Sequence, residues 1–436
     1  MPSQGKRPFN VLGISQYFLP LGISQYFLPL NTPRAVRLGV LARYTQTSGL
    51  VNWTILCASP RTLPHATDPE MQAIVSPKTR VLRIPSLGGR FSRHLRLLRG
   101  QPKSLLMLSL PDARIGWFPL AVRFAQNEIE RGRYDIIQSF STPTTSHLVG
   151  GFARLKYRLP WVAFFSDPWN GMYEVEKGSK GILNRFLERW VFETADVLAF
   201  PWKDGANWAL TNFPERIRRK AVILSHCFDP DLYNWCNSPE ILLKRKDKMR
   251  VLHAGSFYGP RTPSPLLSGI DLLRQQEPAA VADLDVVLLG AQSENVEREI
   301  RKYNLEGTVR RLPAIPYLKC LAVLQDADVL LVIDPPFDTN PFFPSKLVDY
   351  LGARRPILGL TPPKGPTAQI LRSVDQPIVS PWEHNLIARQ LSRLRHAWRE
   401  GALVKHRPRP EAITSFSVES VSEKLIDLYK TISIFD

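Results

Sequence analysis

Cysteine is scarce in this chain. Four stand among 436 residues (Cys57, Cys227, Cys236 and Cys320), and no two share a C-x-x-C spacing. That scatter argues against a disulfide framework or a zinc site and for a reducing, cytoplasmic compartment. Long apolar runs are also missing. The stretch from Pro8 to Pro33 carries no charge and follows Lys6 and Arg7, as a signal segment would. It is broken by Pro20, Pro29, two Gln, two Ser and Asn31. A spanning helix needs about 20 mostly apolar residues, and a cleaved signal needs an unbroken apolar core with a small-residue cleavage site. Neither is expected here. Acidic residues are in deficit, 39 Asp and Glu against 57 Lys and Arg, for a net charge of +18. The deficit is uneven: residues 1–240 hold 30 basic against 17 acidic side chains, the remainder 27 against 22. A basic first half suits an anionic partner. Nucleic acid is not expected, because no stacked-aromatic sheet motif or helix-turn-helix signal accompanies the charge.

What the chain does have is a phrase of nine residues written twice, GISQYFLPLGISQYFLPL over 13–30. Two units of nine cannot form a solenoid, which needs about three repeats of roughly 20–50 residues. Beyond it, short apolar runs alternate with amphipathic stretches. NVLGIS, VNWTILCAS, TRVLRIPS, YDIIQSFS and WVAFFSDP read as strands without a polar face, and RAVRLGVLARYTQ and LAVRFAQNEIERG read as helices. That alternation implies a parallel sheet covered on both sides. The pattern restarts near residue 250 with the strands MRVLHAGSF, LDVVLLGAQ, ADVLLVID and PILGL, and the helix SKLVDYLGARR. The expected division is a first domain over 1–233, a polar linker over 234–249 and a second domain over 250–414. A last helix within 415–436 carries Val418, Val421, Leu425, Leu428 and Ile432 on one face and must bury it.

Six phrases then fall into a recognisable order: GISQYF, LPDARIGWFPLA, YDIIQSFSTPTTSHLVG, LPWVAFFSDPWNG, LHAGSFYGPRTPSPLL and FPSKLVDYLGARRPILGLTP. Together they resemble the family 4 glycosyltransferases of the GT-B fold, in the branch that reads roughly DFRDPW in the first domain and PxKLxEYL in the second. The resemblance implies an α/β fold of two Rossmann-like domains facing across a cleft, with the C-terminal helix crossing back to the first domain. It implies retaining sugar transfer from a nucleotide-diphosphate sugar, with no cofactor and no metal. The donor would sit on the second domain, and a glycan or lipid-linked acceptor of surface-polysaccharide assembly on the first.

Without a metal, charge on the leaving diphosphate needs cations or backbone N–H groups at a helix start. The GSFYGPR turn supplies Gly255, Ser256, Gly259 and Arg261, and Arg261 can fork onto two phosphate oxygens. Lys346 opens the SKLVDYL helix as the second cation. Asp349 follows three residues later, where the family carries Glu for the ribose hydroxyls; Pro341 replaces a family Glu near the sugar. In the first domain, FFSDPW departs from DFRDPW at Phe164 and Ser166 but keeps Asp167, Pro168 and Trp169. Asp167 and His147 are the catalytic candidates. Gln16, Tyr17 and Asn31, with Trp169, belong to the acceptor side. The first copy of the repeated phrase is expected to be the strand, Val11 to Ser15, and the second an enlarged loop, because Pro20 is a poor strand start. The alternative keeps the second copy in the sheet, at the usual distance from NTPRA. Finally, Arg90, Arg93, Arg96 and Arg99 recur among leucines, so 90–108 is a candidate docking segment for an anionic membrane surface. A catalytically inactive relative that binds a nucleotide sugar or a partner, and a nucleotide-sugar epimerase, are the competing readings.

Overall fold

A computed structural model describes residues 19–63, 67–86, 110–112, 114–169, 178–235, 247–257, 259–290, 294–340 and 342–433. Its contacts divide the chain into two units: Met1–His226 with Val418–Asp436, and Cys227–Ser417.

Unit 1 is built on seven strands: β1 (Pro20–Ile23), β2 (Thr54–Ala58), β3 (Arg80–Ile84), β4 (Ile136–Ser141), β5 (Trp161–Phe165), β6 (Val197–Phe200) and β7 (Ala221–Ile223). All pair in parallel, in the order β3-β2-β1-β4-β5-β6-β7. The residues of β1, β2, β4, β5 and β6 are buried throughout, as strands without a polar face must be. Four of the helices that connect and cover the strands are α1 (Pro33–Thr47), α2 (Phe118–Arg131), α3 (Thr145–Tyr157) and α4 (Gly178–Thr194). Thr32 caps α1 by accepting from the Ala35 N–H at 3.3 Å, and Pro33 takes the first helical position, where no donor is needed.

The central strand corrects the placement of the repeated phrase. β1 straddles the joint, taking Pro20 and Leu21 from the first copy and Gly22 and Ile23 from the second. Phe27, Leu28 and Leu30 of the second copy are buried in the core, and a Cβ on Gly39 of α1 would lie 2.4 Å from Leu28. The second copy is therefore core, not an enlarged loop. Pro20 is tolerated because it is the first residue of its strand. The extra residues precede the strand, so the connection to α1 stays short and no added loop has to be closed. Val11–Ser15, the expected strand, lies outside the described residues, as do Gln16, Tyr17, Pro341 and the whole 90–108 segment.

Unit 2 has six parallel strands: β8 (Met249–Ala254), β9 (Leu284–Leu289), β10 (Val309–Leu312), β11 (Val329–Ile333), β12 (Ile357–Leu360) and β13 (Ile378–Val379), in the order β10-β9-β8-β11-β12-β13. Among its helices are α5 (Ser264–Gln276), α6 (Tyr317–Asp326), α7 (Lys346–Ala353) and α8 (His384–Arg399). Residues 227–235, expected in the first domain and linker, fold with this unit. The Phe228 N–H donates to Phe416 O at 3.0 Å, and the Tyr233 hydroxyl to Asp349 O at 2.7 Å. One ion network crosses three strands: Asp285 accepts from Arg250 at 3.0 and 3.1 Å and from Arg310 at 2.8 Å twice.

The terminal helix, α9 (Val418–Ser433), returns to unit 1, packs against α1 and buries Val421, Leu425 and Tyr429. The Tyr429 hydroxyl donates to Gln138 of β4. Among the described residues, no helix is long and apolar enough to cross a membrane.

Each sheet reverses its chain order once, between β1 and β4 and between β8 and β11. Open α/β sheets bind ligands at the carboxyl ends of strands beside such a reversal.

Candidate functional site

At the reversal in unit 2, β8 ends in His253 and Ala254 and runs into Gly255, at φ +144°. The neighbouring β9 runs into Gly290, at φ +143°. Both lie in backbone space that side chains disfavour. A Cβ on Gly290 would sit 2.9 Å from the Gly255 carbonyl, and a Cβ on Gly255 only 2.6 Å from Lys346 Nζ. Gly255 thus clears the room into which Lys346, the first residue of α7, extends, and Gly290 clears the room for the Gly255 backbone.

His253 fixes that ammonium. Its Nδ1 lies 2.9 Å from Leu331 O, a carbonyl that can only accept, so Nδ1 carries the proton. Nε2 then presents its lone pair to Lys346 Nζ at 3.2 Å. Phe257 stacks on the imidazole, ring centres 4.9 Å apart. Burial, then the charge of Lys346, holds His253 well below its usual range. Burial, then the neighbouring Arg261, pulls Lys346 down to about 7, against the opposing charge of Asp334. Arg261 lies 3.8 Å from Asp334, whose other oxygen accepts from Thr361 Oγ1 at 2.8 Å. The Ala254 N–H donates to the Tyr350 hydroxyl at 2.7 Å, which anchors the strand end.

Gly255, Arg261 and Lys346 are thus brought together at one strand edge, with Ser256 next in the chain. Asp349 is buried one turn along α7, where it accepts from the Tyr317 hydroxyl at 3.0 Å. Gly259 is an exposed turn residue at φ +58° with open space beside it. His253 and Asp334 were missed on sequence, although His253 stands two residues before Gly255 and Asp334 closes the ADVLLVID run. A cavity of about 560 Å³ lined by Tyr233, Asp326, Arg355 and Arg407 lies elsewhere in unit 2, towards the amino ends of β11 and β12. None of the cations beside Gly255 lines it.

Unit 1 gathers a second group around its own reversal. Asp167 follows β5; it keeps an exposed face but is densely surrounded by protein, which raises its carboxyl against the pull of Arg34 and the bond from Ser166 at 3.2 Å. Arg34, in the first turn of α1, is 7% exposed, with its guanidinium 5.1 Å from the centre of the Phe164 ring. Burial pulls Arg34 down to about 10; Asp167 opposes the shift and Arg37 adds to it. Arg34 thereby brings a cation beside Asp167, where the DFRDPW pattern would have had one at Ser166. His147 is fully buried on α3, with Nδ1 2.7 Å from Ser139 Oγ and its ring 4.2 Å from Phe165. Burial, then Arg34, holds it down to about 3, so it is neutral. His226 is lowered in the same way by burial, Arg34 and Arg37. Trp169 donates from Nε1 to Asn184 at 3.1 Å, and Asn31 is exposed ahead of α1. Arg34, Arg37 and His226 were not singled out on sequence as site residues. The only signal for the two arginines was their spacing of one turn within the apolar first three turns of a helix.

Among the described residues, no group of three or more His, Cys, Asp or Glu is placed to hold a metal. No family model matches the chain, and no curated protein matches it. Solved structures do. HepE of Anabaena in complex with UDP-glucose is 14% identical, with 95% of this chain and 99% of that one covered at a TM-score of 0.65. Sucrose-phosphate synthase of Thermosynechococcus elongatus is 15% identical, with 96% and 100% covered at 0.67. A UDP-forming trehalose-phosphate synthase of Burkholderia xenovorans is 11% identical, with 96% and 100% covered at 0.64. Likeness at these identities is likeness of fold, and the fold is the two-unit GT-B architecture.

Proposed function

We propose that the chain is a retaining glycosyltransferase that moves a sugar from a nucleoside-diphosphate sugar to a glycan or lipid-linked acceptor in surface-polysaccharide assembly. The observation that carries this reading is the Gly255–Gly290 opening, with Lys346 and Arg261 converging beside it. A leaving diphosphate gathers negative charge as the glycosidic bond breaks, and fixed cations there stabilise that charge more than they stabilise the intact donor. The neighbours whose structures hold UDP and UDP-glucose support a UDP-sugar as the donor. Lys346 and Arg261 would hold the diphosphate, with His253 orienting Lys346. Asp349 would face the ribose. On unit 1, Asp167 would orient the acceptor hydroxyl. The basic segment 90–108 would hold the protein against an anionic membrane where a lipid-linked acceptor resides.

Calorimetric titration with UDP tests the donor site. Arg261→Ala and Lys346→Ala should each weaken UDP by about 1.5–3 kcal/mol, the loss of a charge-assisted hydrogen bond. Unchanged affinity in both variants would overturn the assignment. Tight binding of UDP-sugars with no release of UDP in the presence of candidate acceptors would favour the inactive relative.

A further inference from the structure

Unit 2 gathers cations without partners at the end of its strands opposite the diphosphate site. The cavity of about 560 Å³ at the amino ends of β11 and β12 adjoins a second of about 310 Å³. Arg355 and Arg407 stand in the walls of both, and Arg354 joins them in the larger. Arg354 and Arg355 follow α7, and Arg407 follows the short turn Leu403–His406. Among the described residues, none of these three guanidiniums makes a hydrogen bond or an ion pair. Elsewhere in the unit, Arg250, Arg310 and Arg395 each meet a carboxylate.

Cations just past a helix often serve its last carbonyls. Arg354 caps α7 with its backbone, at φ +53°, and its side chain reaches no carbonyl among the described residues. The larger cavity sets three arginines against one carboxylate, Asp326. The smaller adds Asp328, which already accepts from the Arg250 N–H at 2.9 Å. Burial, then the charge of Arg407, lowers Arg355 against the pull of Asp328 and Asp326, as cations gathered in one place do. Asn234, Gln325 and Asp326 complete the polar wall and offer oxygen acceptors. A ligand with one multiply charged anionic group and several hydroxyls matches both halves of that wall. Guanidinium forks take the anionic oxygens, and the amide and carboxylate oxygens take the hydroxyls. The larger volume lies within the range of small-molecule sites, about 300–1,000 Å³.

We infer that this cavity is a binding site for a phosphorylated sugar or polyol, its phosphate held by Arg354, Arg355 and Arg407. The site is separate from the diphosphate site, which lies at the carboxyl end of β8. The helix α7 joins the two, since Lys346 opens it at one and Arg354 follows it at the other. The inference does not rest on the glycosyltransferase reading. Free phosphate is the other source of the same charge, and it differs by having no sugar hydroxyls.

The probes are ribose 5-phosphate, inorganic phosphate and ribose, titrated calorimetrically into the full chain with and without saturating UDP. Ribose 5-phosphate should bind in both cases, more tightly than inorganic phosphate, and ribose should not bind. In Arg355→Gln and Arg407→Gln its dissociation constant should rise about 10- to 100-fold, with substantial recovery in the lysine variants, while UDP affinity stays at the parent value. Arg407 is exposed, so its variant carries the test if Arg355→Gln does not fold. Asp326→Ala should narrow the difference between ribose 5-phosphate and inorganic phosphate. Equal affinity for those two probes in the parent would overturn the sugar phosphate as occupant in favour of free phosphate. Ribose 5-phosphate displaced by UDP, affinity unchanged in both arginine variants, or no binding at all would overturn the site. Ribose 5-phosphate should bind Lys346→Ala as it binds the parent. Binding that persists in a parent unable to bind UDP would leave this site standing and remove the glycosyltransferase reading instead.

Discussion

Lys346 gives the proposed diphosphate site a pH signature that other placements of the cation would lack. Free, its ammonium titrates at about 7, because it is buried and faces Arg261. A bound diphosphate favours the charged form, so the bound lysine titrates higher and binding takes up a proton between the two values. At pH 8 a lysine of that pKa is about nine-tenths neutral, so binding should draw in about 0.9 proton; at pH 6 it should draw in about 0.1. The last ionisation of a phosphate lies near about 6, so at pH 8 the ligand itself contributes little. Affinity should then fall about tenfold, or about 1.4 kcal/mol, for each pH unit above 7. Folding runs the other way. Between about 7 and the unfolded value of about 10.4, the unfolded chain binds the extra proton, so this group makes unit 2 more stable as pH rises. Calorimetry at pH 8 in two non-phosphate buffers of different ionisation enthalpy reads the uptake directly. Lys346→Arg stays charged and should bind UDP with no uptake and a flat profile. Zero uptake in the parent at pH 8, or equal uptake in the arginine variant, would refute the reasoning.

Three further outcomes are expected. Asp285→Ala removes the carboxylate that accepts from both buried Arg250 and Arg310 and should destabilise the chain by about 3–5 kcal/mol in denaturant titration. Burial alone would raise the Asp285 carboxyl, but the bonds from Arg310 and Arg250 outweigh it and hold it below its usual range; its contribution should be present above about pH 4 and lost as pH falls through the lower folded value. Gly290→Ala should cost about 1–3 kcal/mol of backbone strain and weaken UDP binding, because its Cβ pushes on the Gly255 backbone; a variant with parental melting and affinity would contradict the glycine pairing. Removing one copy of the repeated phrase should leave unit 1 folded, with a melting temperature no lower than the parent's, by circular dichroism; loss of the fold would show that the residues ahead of β1 are needed for it.

Most of the sheet was legible because its strands are apolar on both faces, a pattern that survives without knowledge of their neighbours. β10 reads VRRL, β13 has two residues, and β7 is a partly exposed three-residue strand. Those carry too little apolar sequence to announce themselves. The proposed diphosphate cations were legible only through the order of the six phrases, since an arginine in a turn and a lysine opening a helix are ordinary surface residues when taken alone. Their partners were not. Asp334 meets Arg261 only because β11 lies beside β8, although β9 and β10 come between them in the chain. Arg34 and Arg37 were hidden for a different reason. Sequence reading turns the charged residues of a helix outward, whereas α1 buries residues on every side, its arginines among them.

The repeated phrase marks the sharpest limit of sequence reading here. Deleting residues 13–21 or 22–30 yields one and the same chain, so nothing inside the phrase can say which copy is the strand. Only the flanks differ. Upstream stands NVL, a better strand start than LPL on local preference, because valine donates to the ladder and is β-branched. Downstream stands NTPRA, whose Thr32 cap starts α1 nine residues after Ile23. The structure follows the downstream flank. Seating the strand on the upstream copy would thread nine added residues between β1 and α1 and close a longer loop. It would also take Leu28 from the surface of α1, where Gly39 leaves room for it, unless Leu19 moved into its place. A strand start costs one ladder bond, about 0.5–1.5 kcal/mol. The contacts of Phe27, Leu28 and Leu30 with the core are worth about 1.5–3 kcal/mol each. Packing against the next helix therefore outweighs the lost ladder bond, and it decides the register of the central strand.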